Sequence, residues 1–290
     1  MSLPKFDYIA PKTLNELFEL LDKYGERAKI KAGGTDLLIK MNNKVLKPEV
    51  IIGLKDIQEL KFIKFDEKEG LRIGALATLS EVANNSVVKE RYPSVAYAAS
   101  VTATNQVRNM GTVIGNLCNA APSADNAPAL LALGAKAIIA SRNGEKSIPL
   151  DEFFKGPGLT VLNSNEILKE VIAPIQSPNS FTVYKKLSPR SAVDIAIVNV
   201  GVSVEVKDNR FTNANIFLGA VAPIPLRAKK TEEYLKGKEV SENTIYEAGK
   251  VASSEASPIT DVRSSQEYRK LMVEIITRRA ILEAVDNIKN

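Results

Sequence analysis

The chain has 290 residues, 44% apolar and 25% charged, with 39 Lys and Arg against 34 Asp and Glu for a net charge of +5. That is about two domains' worth of ordinary globular sequence; the mild positive balance, free of long like-charge runs, argues against a dedicated nucleic-acid binder, and no apolar stretch is long enough to span a bilayer. Histidine is absent and Cys118 is the single cysteine, which excludes imidazole catalysis, His-ligated metals, a histidyl-linked flavin, an intrachain disulfide and a four-thiolate iron–sulfur cluster.

In chain order, Thr13 and Glu16 have capping-box spacing ahead of a helix with Leu14, Leu17, Phe18 and Leu21 on its apolar face, closed by Gly25. Residues 28–32 read as a short strand, Gly33-Gly34-Thr35-Asp36 breaks it, residues 37–41 run on as a helical turn, and residues 50–54 form a second buried strand. Residues 60–65 and 71–75 flank an acidic turn ending in Gly70 and predict a hairpin. Thr78 and Glu81 repeat the capping-box spacing. An Ala-rich helix over 94–103 leads into the run from Gln106 to Asn116, and a helix over 123–133 stops at Gly134. Residues 137–141 and 146–150, around Asn143-Gly144, predict a hairpin with a type I′ turn.

Residues 175–179, with Pro178, mark the expected boundary between a first domain over 1–175, itself two subdomains (about 1–55 and 56–175), and a second over 180–290. Past it, β-rich runs at 181–187, 194–206 and 211–222 precede helices over 231–235, 241–252 and 268–284. The second and third runs are joined by Lys207-Asp208-Asn209-Arg210, a hairpin signature.

The sharpest motif is Ala32-Gly33-Gly34-Thr35-Asp36-Leu37. Adjacent glycines remove the side chains at the bend, so backbone N–H groups can approach a phosphate or diphosphate. Gly111-Thr112-Val113-Ile114-Gly115-Asn116 is a second loop of this type, followed by Asn119 and Asp125 among small residues. Either loop alone can be a tight structural turn; two together suggest a dinucleotide clamp. Neither is a P-loop or a GxGxxG fingerprint. Asp125 reads as a helix-start charge or a ligand contact, Lys185 and Lys186 as a solvated strand face, Arg190 and Asp194 as an ion pair, and Cys118 as a packed side chain.

Taken in order and spacing, these loops, with Phe6-Asp7-Tyr8, Ile73-Gly74-Ala75, Gln106-Val107-Arg108-Asn109, Glu166-Ile167-Leu168 and Asp194-Ile195-Ala196, resemble the FAD-binding, or medium, subunit of the molybdenum hydroxylases, the xanthine dehydrogenase and carbon monoxide dehydrogenase family. The resemblance covers nearly the whole chain. It implies an α+β protein: an FAD-binding fold of the vanillyl-alcohol oxidase type in two subdomains, plus a smaller C-terminal sheet-and-helix domain. It implies non-covalent FAD. Ile30, Lys31, Ala32, Gly33, Gly34, Thr35, Asp36 and Leu37 match the first pyrophosphate loop, and Gly111, Thr112, Gly115 and Asn116 the second. Asn119 and Asp125 are similar to residues on the ribityl and adenosine side, Leu168 to an apolar flavin contact, and Lys185 to a basic residue at the pyrimidine edge. Thr102 stands where some relatives carry a stacking aromatic. The family's second loop usually reads Thr-Ile-Gly-Gly-Asn; here Ile114 replaces the first glycine, and Gly115 and the first loop are expected to preserve binding.

The lone cysteine fits a cytoplasmic address, and the resemblance further implies a heteromeric complex. Electrons would pass from a molybdenum cofactor on a large subunit, through [2Fe–2S] clusters on a small subunit, to FAD on this chain and then to NAD or another acceptor, in a dimer of heterotrimers. The motifs lean toward a purine or N-heterocycle dehydrogenase. A self-contained FAD oxidase or reductase, and a flavin-binding docking module without turnover, are the competing expectations.

Overall fold

The computed structural model describes residues 3–190 and 193–289; Met1 and Ser2, which open the N-terminal stretch, and Asn290, which closes the expected second domain, lie outside the described residues. The chain begins with β1 (Asp7–Ile9), α1 (Leu14–Tyr24), β2 (Ala28–Lys31), α2 (Leu37–Asn42) and β3 (Val50–Gly53). The strands form a parallel sheet in the order β1-β3-β2. Central β3, VIIG, is buried along its whole length and shows no polar alternation, as a covered parallel strand requires. α1 starts where its cap spacing predicts: the Thr13 hydroxyl accepts the Glu16 amide at 3.2 Å. The Glu16 carboxylate, however, accepts the Lys12 amide at 2.8 Å, one residue before the position a capping box uses.

Next come β4 (Ile63–Asp66) and β5 (Gly70–Gly74), then α3 (Leu79–Asn84), α4 (Ser86–Arg91), α5 (Pro93–Ser100), α6 (Asn105–Arg108), α7 (Val113–Asn119) and α8 (Asn126–Ala132). β6 (Lys136–Ser141), β7 (Gly144–Pro149), the small ribbon of β8 (Phe154–Gly156) and β9 (Leu159–Thr160), and β10 (Ile167–Ala173) follow. A five-stranded antiparallel sheet has the order β4-β5-β10-β6-β7.

Three local expectations need correction. The helix over 94–103 ends at Ser100, and the chain then passes through left-handed Ala103, φ 48°. The helix over 123–133 begins only at Asn126, because the Ala124 amide closes a turn on the Ala121 carbonyl at 2.9 Å. In the β6–β7 hairpin Ser141 pairs with Gly144, so the turn residues are Arg142 and Asn143; neither has positive φ, and the left-handed residue is Gly144. The type I′ geometry falls instead at Asp208 and Asn209, φ 50° and 56°, between paired Lys207 and Arg210.

The third sheet is antiparallel, β11 (Ser180–Leu187), β12 (Val198–Lys207), β13 (Arg210–Gly219) and β14 (Leu226–Arg227) in that order, followed by α9 (Lys229–Leu235), α10 (Glu242–Glu255) and α11 (Gln266–Lys289). The strand expected from 194 starts at Val198, since Asp194 is held in a loop by the Arg190 amide and guanidinium. Along β12 the alternation assigns two different faces. Val198, Val200, Val202 and Val204 join the core with Val273, Ala280, Ile281 and Ala284 of α11. Asn199, Gly201 and Ser203 take the other face, against α8: a β-carbon on Gly201 would lie 2.0 Å from the Pro128 carbonyl oxygen. No helix among the described residues is long and apolar enough to cross a membrane.

Candidate functional site

The first glycine loop leaves β2, whose residues Ile30 and Lys31 pair with Ile52 and Gly53, and turns through Ala32, Gly33, Gly34, Thr35 and Asp36 into α2, which opens with Leu37. Gly34 has φ 78°, a left-handed conformation that favours glycine. Gly33 is required for a different reason: a β-carbon there would lie 2.0 Å from the Met110 carbonyl oxygen and 2.9 Å from the Gly111 Cα. The two loops thus lie backbone against backbone. Among the described residues, the amides of Gly33, Gly34, Thr35 and Asp36 donate to no other group of the chain. Unclaimed successive amides at a side-chain-free bend are suited to an anion.

The second loop is more heavily used by the fold. The Gly111 amide donates to the Val107 carbonyl at 2.6 Å, and the Gly111 carbonyl accepts the Leu79 amide at 2.9 Å. Thr112 caps α7, its hydroxyl accepting the Gly115 amide at 2.9 Å and its carbonyl the Asn116 amide at 3.0 Å. The expectation of N–H groups on offer throughout this loop therefore narrows to Thr112 and Ile114, whose amides are unclaimed among the described residues. Ile114 itself sits in the first turn of α7 and is buried in the core with Val113 and Leu117.

Asn119 ties the loops from the side. Its Nδ2 donates to Asp36 Oδ1 at 3.0 Å, and its Oδ1 accepts from the Lys40 ammonium at 2.6 Å. The neighbouring Cys118 thiol is pushed up to about 12 by burial, which makes it a packed group and not a nucleophile.

Asp125 occupies the N-cap position of α8 but makes no capping bond. Its carboxylate crosses to the third sheet, where it accepts the Tyr184 hydroxyl at 2.7 Å, the Lys186 ammonium at 2.8 Å and the Asn199 amide at 3.4 Å. Burial pushes this carboxyl above its ordinary value against the pull of Lys186, and the Tyr184 phenol is pushed well up by burial and by Asp125. The reading of Lys186 as a solvated residue is corrected: its side chain is 7% exposed, and it also donates to the Val101 carbonyl at 3.0 Å. Lys185, on the opposite face of β11, is paired with Glu283 of α11. The basic side chain held on Asp125 is thus Lys186. Leu168 lies buried in β10 opposite Ile139, inside the main core.

Thr102 is buried beside Asn126, a residue sequence reasoning missed. Asn126 Nδ2 lies 3.3 Å from Thr102 Oγ1 and 3.0 Å from Asn116 Oδ1. The available signal was a lone amide at the head of the apolar run NAPALLALG. Tyr184, Lys186 and Asn199 were also missed as a cluster, because their partner Asp125 is 59 or more residues away.

Residues 4–176 match the family described as the FAD binding domain in molybdopterin dehydrogenase, and residues 183–284 the CO dehydrogenase flavoprotein C-terminal domain. The chain is 31% identical to the glyceraldehyde dehydrogenase medium chain of Sulfolobus acidocaldarius, over 97% of this chain and 98% of that one. It is 30% identical to the nicotinate dehydrogenase FAD-subunit of Eubacterium barkeri, over 98% and 97%. Among solved structures, the carbon monoxide dehydrogenase of Hydrogenophaga pseudoflava superposes with a TM-score of 0.94 at 31% identity, covering 99% of both chains. Quinoline 2-oxidoreductase of Pseudomonas putida 86 gives 0.93 at 29% identity, covering 100% of both.

Proposed function

The chain belongs to the FAD-binding, or medium, subunits of the molybdenum hydroxylases, multi-subunit oxidoreductases, and we propose that it is the exit station of such a complex, receiving electrons from iron–sulfur clusters of a small subunit and releasing them to NAD or another acceptor. FAD, when bound, supplies the redox chemistry. The observation that carries the assignment of its place is the junction of the two glycine loops, with the amides of Gly33, Gly34, Thr35 and Asp36 unclaimed where Gly33 abuts Met110.

In this reading those amides and that of Thr112 hold the diphosphate, whose charge suits a cluster of N–H donors. Ile30, Lys31, Ala32 and Leu37 frame the bend. Gly111 and Gly115 keep side chains out of the second loop. Asn116 belongs with the second loop, and Asn119 serves the ribityl and adenosine side, with Asp125 setting the wall behind it. Leu168 supplies apolar packing. Lys185, in a part-exposed pair with Glu283, keeps the proposed basic role at the pyrimidine edge, since Lys186 is buried on Asp125. We assign the substrate's acid–base chemistry to the large subunit carrying the molybdenum cofactor, in an assembly we read as a cytoplasmic dimer of heterotrimers. Relatives named for glyceraldehyde, nicotinate and carbon monoxide match at 30–31% identity, so the lean toward N-heterocycles rests on the sequence motifs alone.

The test is purification of the native complex by a tag on this chain, followed by rapid mixing with the substrate of the co-purified large subunit. Bleaching of the flavin absorbance only after reduction of the iron–sulfur signal supports the assignment. Substrate turnover by the isolated chain would favour a self-contained oxidase instead.

A further inference from the structure

Asn116 is half-buried, and which end of its amide faces outward decides whether it can donate to a ligand. Hydrogen-bond polarity fixes the answer without reliance on the naming of amide atoms. The Ala98 carbonyl can only accept, and Thr102 Oγ1 lies 2.7 Å from it, so the single hydroxyl proton of Thr102 is spent there. Thr102 Oγ1 can then only accept from Asn126, 3.3 Å away, which turns the Asn126 NH2 group toward it. That same NH2 lies 3.0 Å from Asn116, and the Asn126 backbone N–H, an obligate donor, lies 3.4 Å from the same Asn116 atom. The inward atom of Asn116 is therefore its oxygen, and its NH2 group, which has no partner among the described residues, is turned the other way.

We infer that Asn126 is a positioning residue: the relay Ala98–Thr102–Asn126–Asn116 locks the Asn116 amide with its two N–H donors presented to the cofactor site, for acceptor-rich atoms such as phosphate, ribityl or carbonyl oxygens. The relay rests on the reading of Asn116 as a flavin contact for its purpose, though not for its geometry. It also gives Thr102 a role in place of the missing aromatic: its hydroxyl sets the sense of the chain. Asn126 is 1% exposed and its Oδ1 has no partner, so it acts only through Asn116. Holding this amide costs a buried oxygen its hydrogen bond, which packing alone would not require.

The experiment uses the full chain, freed of flavin and titrated with FAD. Asn126→Leu is expected to weaken FAD binding about tenfold, the value of one oriented hydrogen bond, and the double variant with Asn116→Ala should be no weaker than Asn116→Ala alone. Asn126→Ser, which retains a donor and is the safer variant for folding, should stay within about threefold of the parent. Additive losses, or undiminished affinity in Asn126→Leu, would overturn the inference. Side-chain amide hydrogen exchange, measured by NMR on the flavin-free chain, is independent of the functional reading. Slow exchange at Asn126 with fast exchange at Asn116 supports the relay, and the reverse order refutes it. If the parent chain takes up no FAD, the functional reading fails while the exchange data still decide the relay.

Discussion

Gly33 and Met110 meet backbone to backbone, so close that a β-carbon on Gly33 would sit 2.0 Å from the Met110 carbonyl oxygen. The glycine that could have been explained by a nearby phosphate is already demanded by the neighbouring loop. Binding and packing therefore share one residue.

Gly33→Ala should separate the loops. The overlap is with backbone on both sides, which cannot swing away as a side-chain tip could. We expect flavin content after purification to fall at least about tenfold, with a stability loss of about 1–3 kcal/mol from overpacking. Normal flavin content would show that the loops need not touch.

Ile114 is a buried core residue in the first turn of α7, so its side chain contributes to packing. Ile114→Gly removes a buried side chain from a helix and should cost about 3–5 kcal/mol by urea unfolding. Ile114→Val should cost about 1 kcal/mol and leave flavin affinity unchanged. A change in affinity with Ile114→Val would place this side chain in the site after all.

Lys185 and Lys186 are adjacent in sequence and opposite in consequence. Lys186→Met leaves Asp125 buried without its cation, a loss of about 3–5 kcal/mol near neutral pH. The penalty should shrink in acid as the carboxyl takes up a proton. Lys185→Met breaks a pair whose Glu283 side chain is 48% exposed, and should cost under about 1 kcal/mol. Similar costs for both would deny the buried pair its importance.

Glu81 links pH to the second loop. Partial burial pushes its carboxyl up, but the Thr78 amide and hydroxyl and the Lys61 ammonium outweigh that and hold it below its ordinary value. A lowered carboxylate stabilises the fold above its usual pKa of about 4.3 and loses that contribution as pH falls through the native value. The stability gap between the parent and Glu81→Gln should therefore be constant near neutrality and close in acid. A gap independent of pH would contradict the assignment.

What the residues disclosed follows the range of the interactions. Caps at Thr13 and Thr78, the glycine bends and the long valine run of β12 are set within a few neighbours, and all three are present in the fold. The type I′ turn was misplaced because Asn143-Gly144 looks ideal locally, whereas pairing of Ser141 with Gly144 moves the turn back by one residue. Asp125 and Lys186 meet across 61 residues of chain, and Asn126 depends on a side chain ten residues upstream whose orientation no spacing rule expresses.

The central claim is that the paired loops grip a diphosphate. Calorimetric titration of the flavin-free full chain with FAD and with riboflavin compares the same ring with and without the diphosphate and the adenosine it carries. One FAD should bind per chain, at least about a hundredfold more tightly than riboflavin, since several charge-assisted hydrogen bonds are at stake. Equal affinity for the two would mean that the loops hold nothing of the kind.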